Sequence, residues 1–153
     1  MITVRVQEGD FDAGAEAEAL AEGRTNVGAV VSFIGLCRDE GGRLAALELE
    51  HYAGMAEDEI VRAAREAEAR WPLLGVTVIH RYGRIAPGER IVLAAVAAEH
   101  RGAAFGAAEM LMDYLKTRAP FWKRAVRRDG GVEGWIEAKG EDDRSAARWG
   151  AAD

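Results

Sequence analysis

The sequence predicts an α+β domain with a largely antiparallel or mixed sheet, because hydrophobic period places two long helices, one shorter helix candidate and about seven strands that follow one another mostly through tight turns. No composition break or internal repeat interrupts residues 1–153, so one domain is expected. A chain of 153 residues, 49% apolar and 30% charged, is long enough for one core and ordinary for a folded protein in water.

Thr3 to Gln7 alternates as a short strand, and Asp12 to Glu22 is an Ala/Glu-rich helix candidate closed by Gly23. Val27 to Ile34 is a nearly continuous apolar strand ending at Gly35. Arg43 to Tyr52 sets Leu47, Leu49 and His51 against Glu48 and Glu50, the period of a half-buried strand. After Ala53-Gly54 the spacing predicts a helix over Met55 to Trp71, with Ile60, Ala63, Ala64, Ala67 and Trp71 inward and Pro72 as its stop. Val76 to Tyr82 and Ile91 to Ala98 read as a hairpin across Ala86-Pro87-Gly88-Glu89. A helix over Gly102 to Thr117 follows, with Phe105, Ala108, Met112 and Leu115 at core spacing. Phe121 to Arg127 and Val132 to Ala138 read as a second hairpin across Asp129-Gly130-Gly131, before a short amphipathic tail.

Charge is distributed unevenly. The formal balance is −6, yet Lys116, Arg118, Lys123, Arg124, Arg127 and Arg128 fall within one stretch that holds no acidic residue. A local cation cluster on an acidic chain marks a place where an anion is held. It is too small for a nucleic-acid footprint. The longest apolar run, Ile91 to Ala98, is too short to cross a bilayer, and MITVRVQEGD lacks a signal pattern, so a cytoplasmic protein is expected. Cys37 stands alone, and His51, His80 and His100 are scattered, so neither a metal nor another cofactor is expected.

At about 100° per residue, Lys116 projects roughly 20° from Phe105 and roughly 40° from Met112, at the margin of the expected buried stripe. A lysine there either serves the helix dipole, pairs with Asp113, or acts in chemistry. Pro120 disfavours helix at Ala119, so Lys116 and Lys123 lie on opposite sides of a bend. Cationic groups gathered at such a bend depress one another's proton affinity, a route to a lysine that works as base or nucleophile.

The run Asp113-Tyr-Leu-Lys-Thr-Arg-Ala-Pro-Phe-Trp-Lys-Arg124 resembles the MoaE family, the large subunits of molybdopterin synthase. So do Phe33-Ile-Gly-Leu-Cys-Arg38, Glu50-His-Tyr-Ala-Gly-Met55, Val78-Ile-His-Arg81 and Glu99-His-Arg101. The similarity runs from roughly Val27 to Trp149. It implies an α/β-hammerhead-type fold with a small added β subdomain. It also implies an enzyme that moves two sulfurs onto cyclic pyranopterin monophosphate, making the molybdopterin dithiolene. The sulfur donor would be the C-terminal Gly-Gly thiocarboxylate of a small ubiquitin-like subunit.

Carried over by motif, Lys116 is the catalytic acid/base or transient acyl acceptor, and Lys123 steers the thiocarboxylate. Arg38, His100 and Arg101 bind phosphate and pterin, Leu36 and Cys37 line the same loop, and Arg124 with the backbone at Ala125 closes the other side. The resemblance also implies a homodimer within a heterotetramer, with His100 and Arg101 able to come from the neighbouring chain. Strand Ile91 to Ala98 is a candidate for extending a sheet across that two-fold.

Plainer readings stand beside these. Cys37 reads as a small core residue, and His51 and His80 as structural. His100 could make a strand-end hydrogen bond, Phe121 and Trp122 either cover the core or receive a partner's tail, and Arg127 and Arg128 read as solvated hairpin charges. The chain departs from the family at Ala125, where Glu is frequent, and at Gly102-Ala103, where hydroxyl residues are frequent. Two rival functions remain: a phosphate-ester hydrolase or transferase with the same cationic pocket, and a non-catalytic scaffold for a ubiquitin-like tail.

Overall fold

A computed structural model describes residues 1–136 and 147–150. Its elements run β1 (Ile2–Gln7), α1 (Ala13–Ala19), β2 (Ala29–Leu36), β3 (Leu44–His51), α2 (Met55–Arg70), β4 (Leu73–Arg81), β5 (Gly83–Ile85), β6 (Arg90–Ala98), α3 (Arg101–Arg118) and β7 (Phe121–Arg127). Two sheets result, one of four strands in the order β1-β4-β6-β2 and one of three in the order β5-β3-β7. Among the described residues β1 pairs with β4 in parallel, and the other strand pairings are antiparallel. This is the expected mixed α+β architecture with a smaller β unit.

The four-stranded sheet is apolar on both faces because both are covered. Val76, Val78 and Val96 meet Ile60, Ala63, Ala64 and Ala67 of α2 and Ala107, Ala108, Met110, Leu111, Tyr114 and Leu115 of α3. The opposite face sets Ile79, Leu93, Ala95 and Ala97 against Phe11 and Leu20. Asp12 caps α1 through its Oδ1, which accepts from the Ala15 N–H at 3.0 Å. Gly54, at φ +85°, takes the left-handed conformation that opens α2, and its N–H donates to Glu57 Oε2 at 2.7 Å.

Several expectations need correcting. Phe105 is not core: it is 61% exposed, and α3 buries Ala104, Ala107, Ala108, Met110, Leu111, Tyr114 and Leu115. Small residues serve because the helix lies close; at Gly106 a Cβ would come 2.7 Å from the Trp71 ring. Lys116 does share a side with Phe105, but that side is open, and Lys116 is exposed. The hairpin between β4 and β6 is interrupted by β5, which leaves to pair with β3. Strand β6 cannot extend a sheet across a two-fold, because β4 and β2 occupy both its edges. The edge strands are β1 and β2, and on β2 Phe33, Ile34 and Leu36 are exposed. Strand β7 pairs with β3, and the expected return strand is reduced to two bridges, Val126 with Val132 and Lys123 with Ile136. Its last two positions, 137 and 138, lie outside the described residues, as does most of the expected tail.

At the far end of the chain, residues 147–150 are helical. Trp149 Nε1 donates to Asp113 Oδ2 at 2.5 Å, and its ring packs edge-on to Trp71 at 5.9 Å. Arg148 donates to Glu109 and Asp113 of α3 at 2.6 and 2.8 Å.

Candidate active site

Helix α3 ends because Pro120 bars helical backbone at Ala119, which adopts φ −68° and ψ 127°. The Phe121 N–H then donates to the Ala119 carbonyl at 2.8 Å, and the chain turns directly into β7. Helix end, corner and strand start enclose a cavity of about 490 Å³ lined by residues that include Leu36, Cys37, Arg38, Glu40, His80, Lys116, Phe121, Trp122 and Lys123. Both lysines therefore face one space across the corner.

The β2–β3 loop forms the opposite wall. Its position is fixed by the Pro87-Gly88 turn: the Cys37 N–H donates to the Glu89 carbonyl at 2.9 Å, and the Gly88 N–H to the Cys37 carbonyl at 2.7 Å. Gly88 sits at φ +88°, where a side chain would be strained. Cys37 itself is 4% exposed and packs with Leu44, Leu49 and Ile85. Burial, followed by the nearby Glu40 and Glu89, pushes its thiol up, so it stays protonated rather than nucleophilic.

The cation cluster of the sequence divides once folded. Arg118 pairs with Glu66 at 2.7 Å and lies over the Tyr114 ring at 3.7 Å. Arg124 pairs with Glu48 at 3.1 Å, Arg127 with Glu133 at 2.8 Å, and Arg128 with Asp39 at 3.5 Å. Each of these arginines has a carboxylate partner, and Arg118 lines the cavity together with the two lysines.

Four expected site residues lie elsewhere. Strand alternation puts Arg124 on the face of β7 opposite Lys123, where it stacks on the Trp135 ring at 4.4 Å. Ala125 packs against the small core under the three-stranded sheet, and its carbonyl accepts from the Glu133 N–H at 3.0 Å. Neither lines the cavity. His100 and Arg101 stand at the start of α3, and fifteen residues at 1.5 Å each separate Arg101 from Lys116 by about 22 Å. His100 is the N-cap residue of α3 and makes no side-chain cap hydrogen bond.

His80, read from sequence as structural, reaches the cavity from the end of β4. Its ring stacks on Phe121 at 3.8 Å with 17° between planes, and its Nδ1 lies 2.8 Å from the Arg81 carbonyl. Burial, with smaller contributions from Lys116 and His51, lowers its pKa from 6.5 to about 4. A histidine next to an Arg in an apolar strand carries no signal that distinguishes this position from core.

The family model described as MoaE protein matches residues 6–118. The chain belongs to the MoaE family. A Mesorhizobium japonicum molybdopterin synthase catalytic subunit is 65% identical over 147 residues, covering 96% of this chain and 92% of that one. The Brucella melitensis catalytic subunit is 56% identical over 148 residues, covering 97% and 91%. Among solved structures, a MoaE protein from Burkholderia ambifaria superposes with TM-score 0.84 at 46% identity, covering 98% and 99%. Molybdopterin synthase from Staphylococcus aureus gives 0.78 at 28% identity, covering 86% and 95%.

Proposed function

We propose that this MoaE-family chain is the catalytic subunit of molybdopterin synthase and transfers two sulfurs to cyclic pyranopterin monophosphate. The observation that carries the reading is the cavity at the α3–β7 corner, into which Lys116 and Lys123 both face beside Arg38. Such a space suits an anionic thiocarboxylate tail and a phosphate-bearing substrate, because ammonium and guanidinium groups act strongly on anions in a partly dry pocket. The donor is the Gly-Gly thiocarboxylate of a small ubiquitin-like subunit. Lys116 exchanges protons with the reacting groups or accepts the acyl carbon transiently, and Lys123 holds the tail and the charge growing on its carbonyl.

His100 and Arg101 lie about 22 Å along α3 from their own Lys116, so they serve the substrate of a second copy. The exposed β2 edge, with Phe33, suits that copy better than β6 does. Arg124 supports β7 from outside through Glu48 rather than touching substrate.

The test is reconstitution: the purified chain, a thiocarboxylated Gly-Gly partner and the cyclic pterin are mixed, and dithiolene is measured. Product is expected from the wild type and lost in Lys116→Ala. Undiminished dithiolene from Lys116→Ala overturns the lysine's role. Absence of product from the wild type overturns the reading itself.

A further inference from the structure

Resting on the sulfur-transfer reading above, we propose that Glu40 recognises the pterin: its carboxylate accepts two hydrogen bonds from the pyrimidine edge of the substrate, while the cations of the α3–β7 corner take the phosphate end. The cavity is not uniformly cationic. Lys116, Arg118 and Lys123 face it from α3 and β7, Arg38 and Glu40 face it from the β2–β3 loop opposite, and Glu40 is the one carboxylate on its described lining.

Two observations single Glu40 out. Its backbone lies at φ +52°, in the left-handed region where a residue with a Cβ is strained and glycine is not, and Gly41 and Gly42 follow it there at φ +74° and +83°. The turn alone therefore does not explain a glutamate at position 40. Its carboxylate is also uncommitted: among the described residues it has no hydrogen-bond or ion-pair partner, although neighbouring Asp39 pairs with Arg128 at 3.5 Å. The mount is fixed at both ends. The Leu44 N–H donates to the Asp39 carbonyl at 3.3 Å and the Arg128 N–H to the Arg43 carbonyl at 2.9 Å, while Cys37 is tied to the Pro87-Gly88 turn.

The substrate's chemistry matches this division of charge. A pterin presents, on the outer edge of its pyrimidine ring, a ring N–H and an exocyclic amino N–H side by side and pointing the same way. Two parallel donors are what a carboxylate accepts in a bidentate pair, as it does from a guanidinium. The opposite end of the molecule is an anionic phosphate, which a carboxylate repels and ammonium groups attract. One direction of entry fits: pyrimidine edge to Glu40, phosphate and the carbons that receive sulfur to Lys116 and Lys123. Reversed binding sets phosphate against carboxylate, and the same charge turns a thiocarboxylate tail away from this wall.

The experiment measures, by calorimetry on the full-length chain, affinity for a pterin with a phosphomethyl side chain and for its lumazine counterpart, in which a carbonyl oxygen replaces the amino group. Wild type is expected to favour the pterin by about 10- to 100-fold, because lumazine sets that oxygen against the carboxylate. Glu40→Gln, whose amide can donate to the oxygen, should bring the two ligands to within about threefold of each other. Glu40→Gly should lose pterin affinity yet melt no lower than wild type, since glycine relieves the left-handed backbone; a residue needed only for the fold would not separate the two readings. In dithiolene formation with the thiocarboxylated partner, the loss in both variants should fall on KM for the cyclic pterin rather than on kcat. Equal affinity of the wild type for the two ligands, a preference for pterin that survives in Glu40→Gln, or a loss confined to kcat, the mark of a proton carrier, overturns the proposal. The affinities are read without a sulfur donor, so they decide the role of Glu40 even if the wild type makes no dithiolene, an outcome that would instead sink the sulfur-transfer reading.

Discussion

The four-stranded sheet is covered on both faces, and its central strands β4 and β6 are buried almost throughout. The three-stranded sheet covers a much smaller core of Cys37, Leu44, Leu49 and Ile85 and leaves polar side chains such as Glu50 and Lys123 to solvent or cavity. The first supplies most of the buried core, and the proposed reacting groups stand where α3, packed on it, meets β7 of the second at the Ala119–Pro120 corner. Damage to each should therefore appear in a different measurement.

The largest expected effect is on the reactive side. Lys116→Ala should cost roughly 100-fold or more in dithiolene formation, while the melting temperature stays near the wild-type value because the side chain is exposed. A comparable fall in melting temperature would break the division. Next comes the stable side. Leu93→Ala, at a fully buried position, should lower unfolding free energy by about 2–5 kcal/mol in urea denaturation, leaving the rate per folded molecule intact.

A third prediction sharpens the border between the two sheets. Folded His80 protonates near pH 4, whereas the unfolded chain protonates it near 6.5. Between those values the unfolded state binds the extra proton, so this contribution is complete above about pH 6.5 and drains away as pH falls towards 4. Its size is on the order of 2 to 3 kcal/mol. Urea midpoints for wild type and His80→Gln should diverge at neutral pH and converge near pH 4. Asp10, whose carboxyl is held below 3.8 chiefly by its hydrogen bond from Arg90, titrates in a lower window and does not imitate the effect. The smallest expected change is Glu48→Ala, which releases Arg124 on the outer face of β7. It should cost about 0.2–1 kcal/mol of stability with little change in rate, and a large loss of rate would return Arg124 to the reaction.

Periodic elements were the legible part of the sequence. Strands β1, β3, β4, β6 and β7 and helix α2 follow their hydrophobic spacing to within a few residues, and Pro120 announces the corner that joins Lys116 to Lys123. Three-residue β5 is too short to leave a period, so β4 and β6 looked like a simple hairpin. Phe105 misled because side-chain size outweighs alanine in a hydrophobic stripe, while a closely packed helix needs the alanines inside. The arginine partners were invisible for another reason: Glu66, Glu48 and Asp39 lie 52, 76 and 89 positions from Arg118, Arg124 and Arg128. Family motifs point to His100 and Arg101, but their distance of about 22 Å from Lys116 of the same chain becomes visible only once α3 is laid out as a helix. His80 was missed because its accessibility depends on where β4 ends relative to Phe121.

Two residues, Ala119 and Pro120, are all that separate the end of α3 from the start of β7. So short a splice leaves no slack, and a sideways step of the helix carries the strand's amine along with the helix's own. The pair behaves as one jaw. Inserting even a few glycines at this splice would give each amine an independent tether, and grip on a narrow tail would be lost although no charge had been removed.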